Sequence, residues 1–438
     1  MTKKLSKIID INKDNCVNCH ACIAVCPMKF CNDGTGDNVD LNDDSCIGCG
    51  ECIRVCTHEA RVGIDDFDEF LNAAGKKEKI VAITAPAIAS NFPGEYLNIN
   101  GWLKSIGVEA IFDVSFGAEL TVKSYLEHLK ENTPKVIISQ PCPAIVTFIQ
   151  IKHPELLEYL APADSPMVHT MKMIKEFYPQ YRNHKIVVLS PCYAKKREFE
   201  EVGMGDYNVT YKSLKKHYDD KKIKLSNFKK ENYDNPPAER AVLFSTPGGL
   251  LKTAMREVPG IENKTRKIEG PEVVYEYLEK LSGVIKDGNA PLLIDCLNCP
   301  MGCNGGPGTM NLEKSPDTIE GLIEDRNKEM QGLYTQKGIF GKRLNIKKIR
   351  KNINQFWKPG LYDRSYLNLN ENQQMKIPSK TELKNLYERM EKHEDKDIKN
   401  CRSCGYNACE LMATAIYNDL NKPENCHWFQ HDRIQKEC

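Results

Sequence analysis

Cys16, Cys19, Cys22 and Cys26 stand at C-x2-C-x2-C-x3-C followed by Pro27, and Cys46, Cys49, Cys52 and Cys56 repeat the spacing. Thiolates this close in sequence can face one way on a tight loop. In the doubled register, the fourth cysteine of each run ligates the other run's 4Fe-4S cubane. One cluster would then take Cys16, Cys19, Cys22 and Cys56, and the second Cys46, Cys49, Cys52 and Cys26. Pro27 stops the loop from continuing as helix. A zinc ion or a disulfide knot is the rival for a lone C-x2-C, but eight cysteines in doubled register are far more specific.

Two more groups of thiols follow. Cys142, Cys192, Cys299 and Cys303 are remote from one another, each near the end of an apolar run, and four thiolates meeting at one rim could hold a cubane; buried structural cysteines are the alternative. Cys401, Cys404, Cys409 and Cys426 have the spacing C-x2-C-x4-C-x16-C, which suits one more 4Fe-4S cluster, with zinc as the rival. Of the nineteen cysteines, only Cys31, Cys296 and Cys438 fall outside these sets, and Cys438 is expected to be exposed. A chain so equipped is built to move electrons.

The elements that must position these groups show in the texture of the sequence. Ile80 to Ile88, Lys135 to Pro143, Lys185 to Tyr193, Arg240 to Gly249 and Ala290 to Cys299 are apolar, β-branched runs ending at Pro, Gly or Cys. Such runs predict strands of a mostly parallel sheet covered on both faces. Ala118 to Asn132 and Pro166 to Tyr178 read as helices between them. The layout is α/β, with functional groups expected at the carboxyl ends of strands. Four segments are expected: an α+β two-cluster domain over 1–68, an α/β domain over 76–345, a strap or linker over 346–376, and a small helical 4Fe-4S domain over 377–438. Tyr211 to Lys230 reads as a lysine-rich solvated helix and loop, and Ser379 with Glu382 sets a capping-box helix start.

Bulk properties exclude several classes. A net charge of +1 gives no electrostatic reason to expect nucleic acid. No run approaches the ~20 apolar residues of a membrane span. The residues before Cys16 lack the apolar stretch of a secretory leader, and clustered thiols point to a reducing cytoplasm and an anaerobic setting.

SQPCPAI (Ser139 to Ile145), SPCYAKKREFE (Ser190 to Glu200) and CPMGCNGGPG (Cys299 to Gly308) resemble the three signature segments of FeFe-hydrogenases, with TAPA (Thr84 to Ala87) and FDVSFGAELT (Phe112 to Thr121) similar to flanking family segments. The resemblance runs from the ferredoxin-like residues at the N-terminus to about residue 345. It implies an H-cluster whose cubane is held by Cys142, Cys192, Cys299 and Cys303, with Cys303 bridging to a di-iron subsite carrying carbonyl, cyanide and azadithiolate. It also implies that Lys195 contacts a cyanide, that Pro86, Ala87, Met167 and Ser190 surround the cofactor, and that Gly302, Gly305 and Gly306 let the backbone approach it. The implied chemistry is heterolysis of dihydrogen, with an open iron as Lewis acid. Implied partners are hydrogen and protons, a ferredoxin-like or signalling redox partner, and maturases that build the subsite. The last four cysteines resemble the small 4Fe-4S domain of corrinoid iron–sulfur proteins, an appendage that sensory-type hydrogenases, including a branch without a PAS domain, also carry.

The chain departs from the standard catalytic pattern where protons should move. Pro141 takes the place of the proton-relaying cysteine before the first ligand, and Tyr125 and His128 stand where the relay's glutamates are expected. Ser190, Leu297 and Met167 also replace family residues near the cofactor. These changes lead to the expectation of a slow, sensory-type hydrogenase, with Cys296, Glu257 and Tyr125 as candidate substitute relay groups. The alternatives are a metabolic ferredoxin-dependent hydrogenase with another proton path and a non-enzymatic, hydrogenase-like iron–sulfur assembly factor.

Overall fold

The computed structural model describes residues 2–336 and 343–437; Cys438 lies outside the described residues, as do six residues of the expected α/β segment. The chain divides into two compact units. The larger comprises Asp65–Ile149 and Glu155–Leu367; the smaller comprises Met1–Ile64, Gln150–Pro154 and Asn368–Cys438.

The larger unit is α/β. Strands β1 (Ile80–Thr84), β2 (Ala110–Asp113), β4 (Lys185–Ser190) and β5 (Tyr207–Thr210) form a parallel sheet in the order β2-β1-β4-β5. A second parallel sheet has the order β6-β7-β3, from β3 (Ile137–Ile138), β6 (Thr265–Glu269) and β7 (Leu293–Leu297). Successive side chains of a strand point to opposite faces, and the core follows that rule. Val81, Ile83, Phe112, Ile186 and Val188 pack on one face, while Ile80, Ala82, Ile111, Val187 and Leu189 pack on the other. Helices α1 (Val114–Asn132) and α2 (Pro166–Phe177) lie where helical periodicity predicts them.

Two expectations need correction. Arg240 to Gly249 is not a strand: Ala241–Ser245 is a 3₁₀ turn followed by a helix, Gly249–Glu257. The cause is the buried Glu119 carboxylate on α1, which accepts the backbone N–H groups of Glu239, Arg240 and Ala241 at 3.0, 3.2 and 3.3 Å. Those amides are thereby lost to any sheet ladder. The stretch over 346–376 is not a bare strap either. Ile346–Gln355 is a helix that buries Ile349 and Ile353 in the core of the larger unit, and the two units meet in sequence at 367/368.

The smaller unit joins what the sequence separates. An antiparallel pair (Ile9–Ile11 with Arg61–Gly63) and two short helices (Ala21–Ala24 and Glu51–Val55) frame the first eight cysteines. Lys380–Arg389 starts at the expected capping box, and Cys409–Tyr417 follows. Cys22, Ile23 and Val39 share one apolar cluster with Leu386, Met390, Tyr406, Met412 and Ile416, so the first and last cysteine sets have a common core. Among the described residues, no helix is long and apolar enough to cross a membrane.

Close packing and buried charge set the stability of the larger unit. A Cβ on Gly117 of α1 would fall 2.1 Å from Thr170 Oγ1 and 2.3 Å from the Pro166 carbonyl of α2. Gly117→Ala is therefore expected to destabilise by ~1–3 kcal/mol through overpacking. Gly283→Ala, at a helical position with nothing within 4 Å, should stabilise by about 1 kcal/mol; thermal unfolding of the two variants separates them. Burial raises the pKa of Glu119, but Arg256 and the amides more than reverse this, leaving it below the usual carboxylate value. Its contribution is present above that value and lost as pH falls through the folded one. Arg256, buried against Glu119 (2.6 Å) and Glu239 (3.0 Å), supplies the counter-charge. Arg256→Met should cost ~3–5 kcal/mol at neutral pH, measured by denaturant unfolding.

Candidate metal centres

The carboxyl ends of β1, β3, β4 and β7 lead into loops around one cavity, which encloses about 720 Å³ of space free of protein atoms, counting its open mouth. Cys142, Cys192, Cys299 and Cys303 all line it, with Lys195, Pro86, Ala87 and Met167. The thiols are partly open to the cavity yet deep in the unit. Burial pushes Cys192 up to about 11 and Cys303 up to about 12, and raises Cys142 and Cys299 as well. Charge on neighbouring thiols adds to the rise at Cys192, Cys299 and Cys303; Cys299 feels Cys142, Cys192 and Cys303 together. Four such thiols cannot all ionise unless a cation neutralises them, because the desolvated anions repel one another. Among the described residues, no three His, Cys, Asp or Glu side chains are gathered as for a single metal ion. The quartet lines one cavity together, an arrangement that suits ligands of a shared 4Fe-4S cluster.

Lys195, at the start of the helix Lys195–Val202, donates to the Pro141 carbonyl at 3.0 Å and pairs with Glu198 at 2.5 Å. Glu198 is held in turn by Arg364 at 2.6 Å. All three side chains are buried. Arg364 falls in the stretch read as a linker, and no sequence signal joins it to Glu198. Arg326 donates to the Pro86 carbonyl at 3.2 Å and pairs with Asp113 at 2.7 Å, fixing the loop that carries Pro86 and Ala87. Ser245 was also missed: it lines the cavity, and its Oγ is buried with no hydrogen-bond partner among the described residues.

Other expected groups lie elsewhere. Ser190 does not line the cavity; its Oγ accepts the Cys192 N–H at 3.1 Å and so orients that loop. Cys296 is fully buried on β7 against Ser139, Sγ to Oγ 3.7 Å, and burial drives its pKa far above the thiol range. Tyr125 is buried with its hydroxyl on Gln140 Oε1, and its pKa is also driven far up. Glu257 is engaged by Arg256 at 2.8 Å and Arg350 at 3.0 Å, outside the cavity. Of the expected glycines, Gly306 lines the cavity, and all three also approach other backbone closely. A Cβ on Gly302 (φ +61°) would sit 2.5 Å from the Ser245 carbonyl, and one on Gly306 would sit 2.5 Å from that of Pro191. Gly306 thus stacks the third signature loop on the second, and Gly302 stacks it on the turn that carries Ser245.

In the smaller unit Cys26 lies within electrostatic reach of Cys46, Cys49 and Cys52, the set with which the spacing groups it. Cys31, unassigned by spacing, is buried 3.6 Å from Cys26, sulfur to sulfur. Burial raises the pKa of Cys22, while Arg61, 3.5 Å from its sulfur, lowers it; Cys19 and Cys26 are its thiol neighbours. The last quartet lines a second void together, with Cys404 close to Cys401, Cys409 and Cys426.

Comparison with known proteins bears on these sites. Residues 78–307 match the family model for the iron-only hydrogenase large subunit, C-terminal domain, and residues 8–61 match a 4Fe-4S dicluster domain. Iron hydrogenase 1 of Clostridium pasteurianum is 26% identical over 431 residues, covering 81% of this chain and 74% of that protein. The NADP-reducing hydrogenase subunit HndD of Solidesulfovibrio fructosivorans is 25% identical, covering 67% of this chain and 55% of that one. The nuclear prelamin A recognition factor of Mus musculus is 29% identical over 119 residues, 24% of this chain and 26% of that one. A solved FeFe-hydrogenase, studied for oxygen damage to its H-cluster, shares the fold with a TM-score of 0.52 at 17% identity, over 70% of this chain and all of that one. With the hydrogenase family model matching more than half of its 438 residues, the chain belongs to the iron-only hydrogenase family.

Proposed function

We propose that this protein splits or forms dihydrogen at the four-cysteine cavity, slowly, and passes electrons through 4Fe-4S clusters to a ferredoxin-like or signalling partner. The observation that carries this reading is the convergence of Cys142, Cys192, Cys299, Cys303 and Lys195 on one cavity, with Pro141 rather than an ionisable residue beside the first thiol. Cys142, Cys192, Cys299 and Cys303 would hold the cubane, and Cys303 would bridge to the di-iron subsite. When bound, that group supplies an open iron and an adjacent amine base, the pair needed to break dihydrogen unevenly.

The chain's own residues orient and enclose. Lys195, with Glu198 and Arg364 behind it, presents a fixed ammonium donor suited to an anionic ligand such as cyanide. Ser245 offers a hydroxyl with no hydrogen-bond partner among the described residues. Ala85, Val114, Ala118, Phe244 and Leu297 make the remaining wall apolar and limit water. Pro141 has neither an N–H nor a titrating group. Tyr125 and Cys296, held in their neutral forms by burial, are poor proton carriers at neutral pH. Positioned proton transfer contributes typically ~10²–10⁴-fold, so its loss supports slow turnover and a sensory rather than a bulk catalytic role. The last quartet, within the same unit as the first eight cysteines, supports an added electron outlet.

Matured protein under hydrogen should show carbonyl and cyanide infrared bands and carry about eighteen irons, from four cubanes and a di-iron subsite. Absence of the bands with about sixteen irons or fewer would point to the non-enzymatic reading instead. Pro141→Cys alone should raise turnover less than about tenfold, because Tyr125 still interrupts the path. Adding Tyr125→Glu and His128→Glu should raise it ~10²-fold or more, measured as hydrogen evolved from reduced methyl viologen. An unaltered protein already turning over at the triple variant's rate would favour a metabolic hydrogenase with its own proton path.

A further inference from the structure

Lys29 is used by neither the spacing argument nor the cavity, yet it stands where the first and last cysteine sets meet. Its backbone is left-handed (φ +37°), which turns the side chain back over the short helix Ala21–Ala24. There Nζ donates to the carbonyls of Ile23 at 3.3 Å and Ala24 at 3.0 Å, and across to the carbonyl of Gly405 at 3.2 Å. Gly405 directly follows Cys404, and the Lys29 ammonium interacts with both Cys26 and Cys404. The loops are in contact around it: a Cβ on Gly405 (φ +86°) would fall 2.8 Å from Ile23 Cβ, and Tyr406 stacks on Phe30 at 5.9 Å. Gly34 N–H donates to the Leu420 carbonyl at 2.9 Å, and Asn425 donates to Gly34 O at 2.7 Å. Arg402 is a second cation beside Lys29, while Arg61 acts on Cys52 and Lys392 on Cys401.

We propose that Lys29 is a shared electrostatic link between two cluster sites, the one built on Cys26, Cys46, Cys49 and Cys52 and the one built on Cys401, Cys404, Cys409 and Cys426. A cation held in a partly desolvated seam favours an added electron on either side of it. The cation therefore raises the potentials of both sites together. Each takes one electron from the mediator, its 4Fe-4S core passing from 2+ to 1+, with no bond broken and no proton required. This rests on the proposed reading of the last quartet as a cubane.

The test is an EPR-monitored redox titration of the full chain with its 4Fe-4S clusters loaded but no di-iron subsite. Lys29→Met should lower the reduced-to-oxidised ratio of both clusters about tenfold at fixed potential, which is 59 mV for one electron. Lys29→Arg should retain the potentials, and so should Lys422→Met, because Lys422 reaches Gly36 O rather than a thiol loop. A shift in one cluster only, or in neither, overturns the proposal. The unaltered protein gives a second reading should the Met variant fail to load. When fully reduced, it should show a magnetic coupling additional to that between the two clusters of the first eight cysteines, lost in a Cys401→Ser, Cys404→Ser double variant that keeps the latter, and absence of this additional coupling also overturns the link. Metal analysis keeps the outcomes apart: zinc in the last quartet sinks the cubane reading, whereas iron there with unmoved potentials sinks only the role of Lys29.

Discussion

Four thiols brought out of water to face one another are the constraint around which the larger unit is arranged. Each is hard to ionise in its buried setting, and charge on neighbouring thiols makes Cys192, Cys299 and Cys303 harder still. A cation removes both penalties at once and cross-links three loops, so the free energy of binding becomes free energy of folding. The rest of the unit brings those loop ends together. Parallel strands deliver them to one rim, and Gly302 and Gly306 let the loops pack backbone against backbone.

Three buried guanidinium groups hold that arrangement, each tying a loop to a distant element. Arg326 fixes the Pro86 loop, Arg364 fixes Glu198 behind Lys195, and Arg256 holds Glu119, which shapes the turn leading to Phe244 and Ser245. Buried ion pairs give little net stability, because desolvation offsets their attraction. What they give here is position. Removing one partner leaves a bare charge inside, so the unit tolerates one arrangement of its loops and resists others.

The thiol sets and most of the α/β layout were legible because their signals are local: cysteine spacing, apolar runs and capping residues. Strands β2, β5 and β6 were missed. β6, TRKIE, pairs with one strand only and buries Ile268 alone, so it carries no apolar run. Arg240 to Gly249 misled because what bends it is a carboxylate some 120 residues earlier. Cys296 drew attention through nearness in sequence to Cys299, but it lies within a strand and its thiol meets Ser139 rather than the cavity. Arg364 and Ser245 left no trace, since a lone Arg or Ser says nothing about a partner far along the chain.

The smaller unit is assembled from three separate stretches of chain, and its apolar core is shared between residues near 22–39 and residues near 386–426. During synthesis on a ribosome, the early stretch emerges first and waits with the apolar side chains of this cluster uncovered. Burial of Ile23 and Val39 is complete only after Tyr406, Met412 and Ile416 have been translated. The surroundings of the first eight cysteines are therefore completed only when the last helices of the chain are in place.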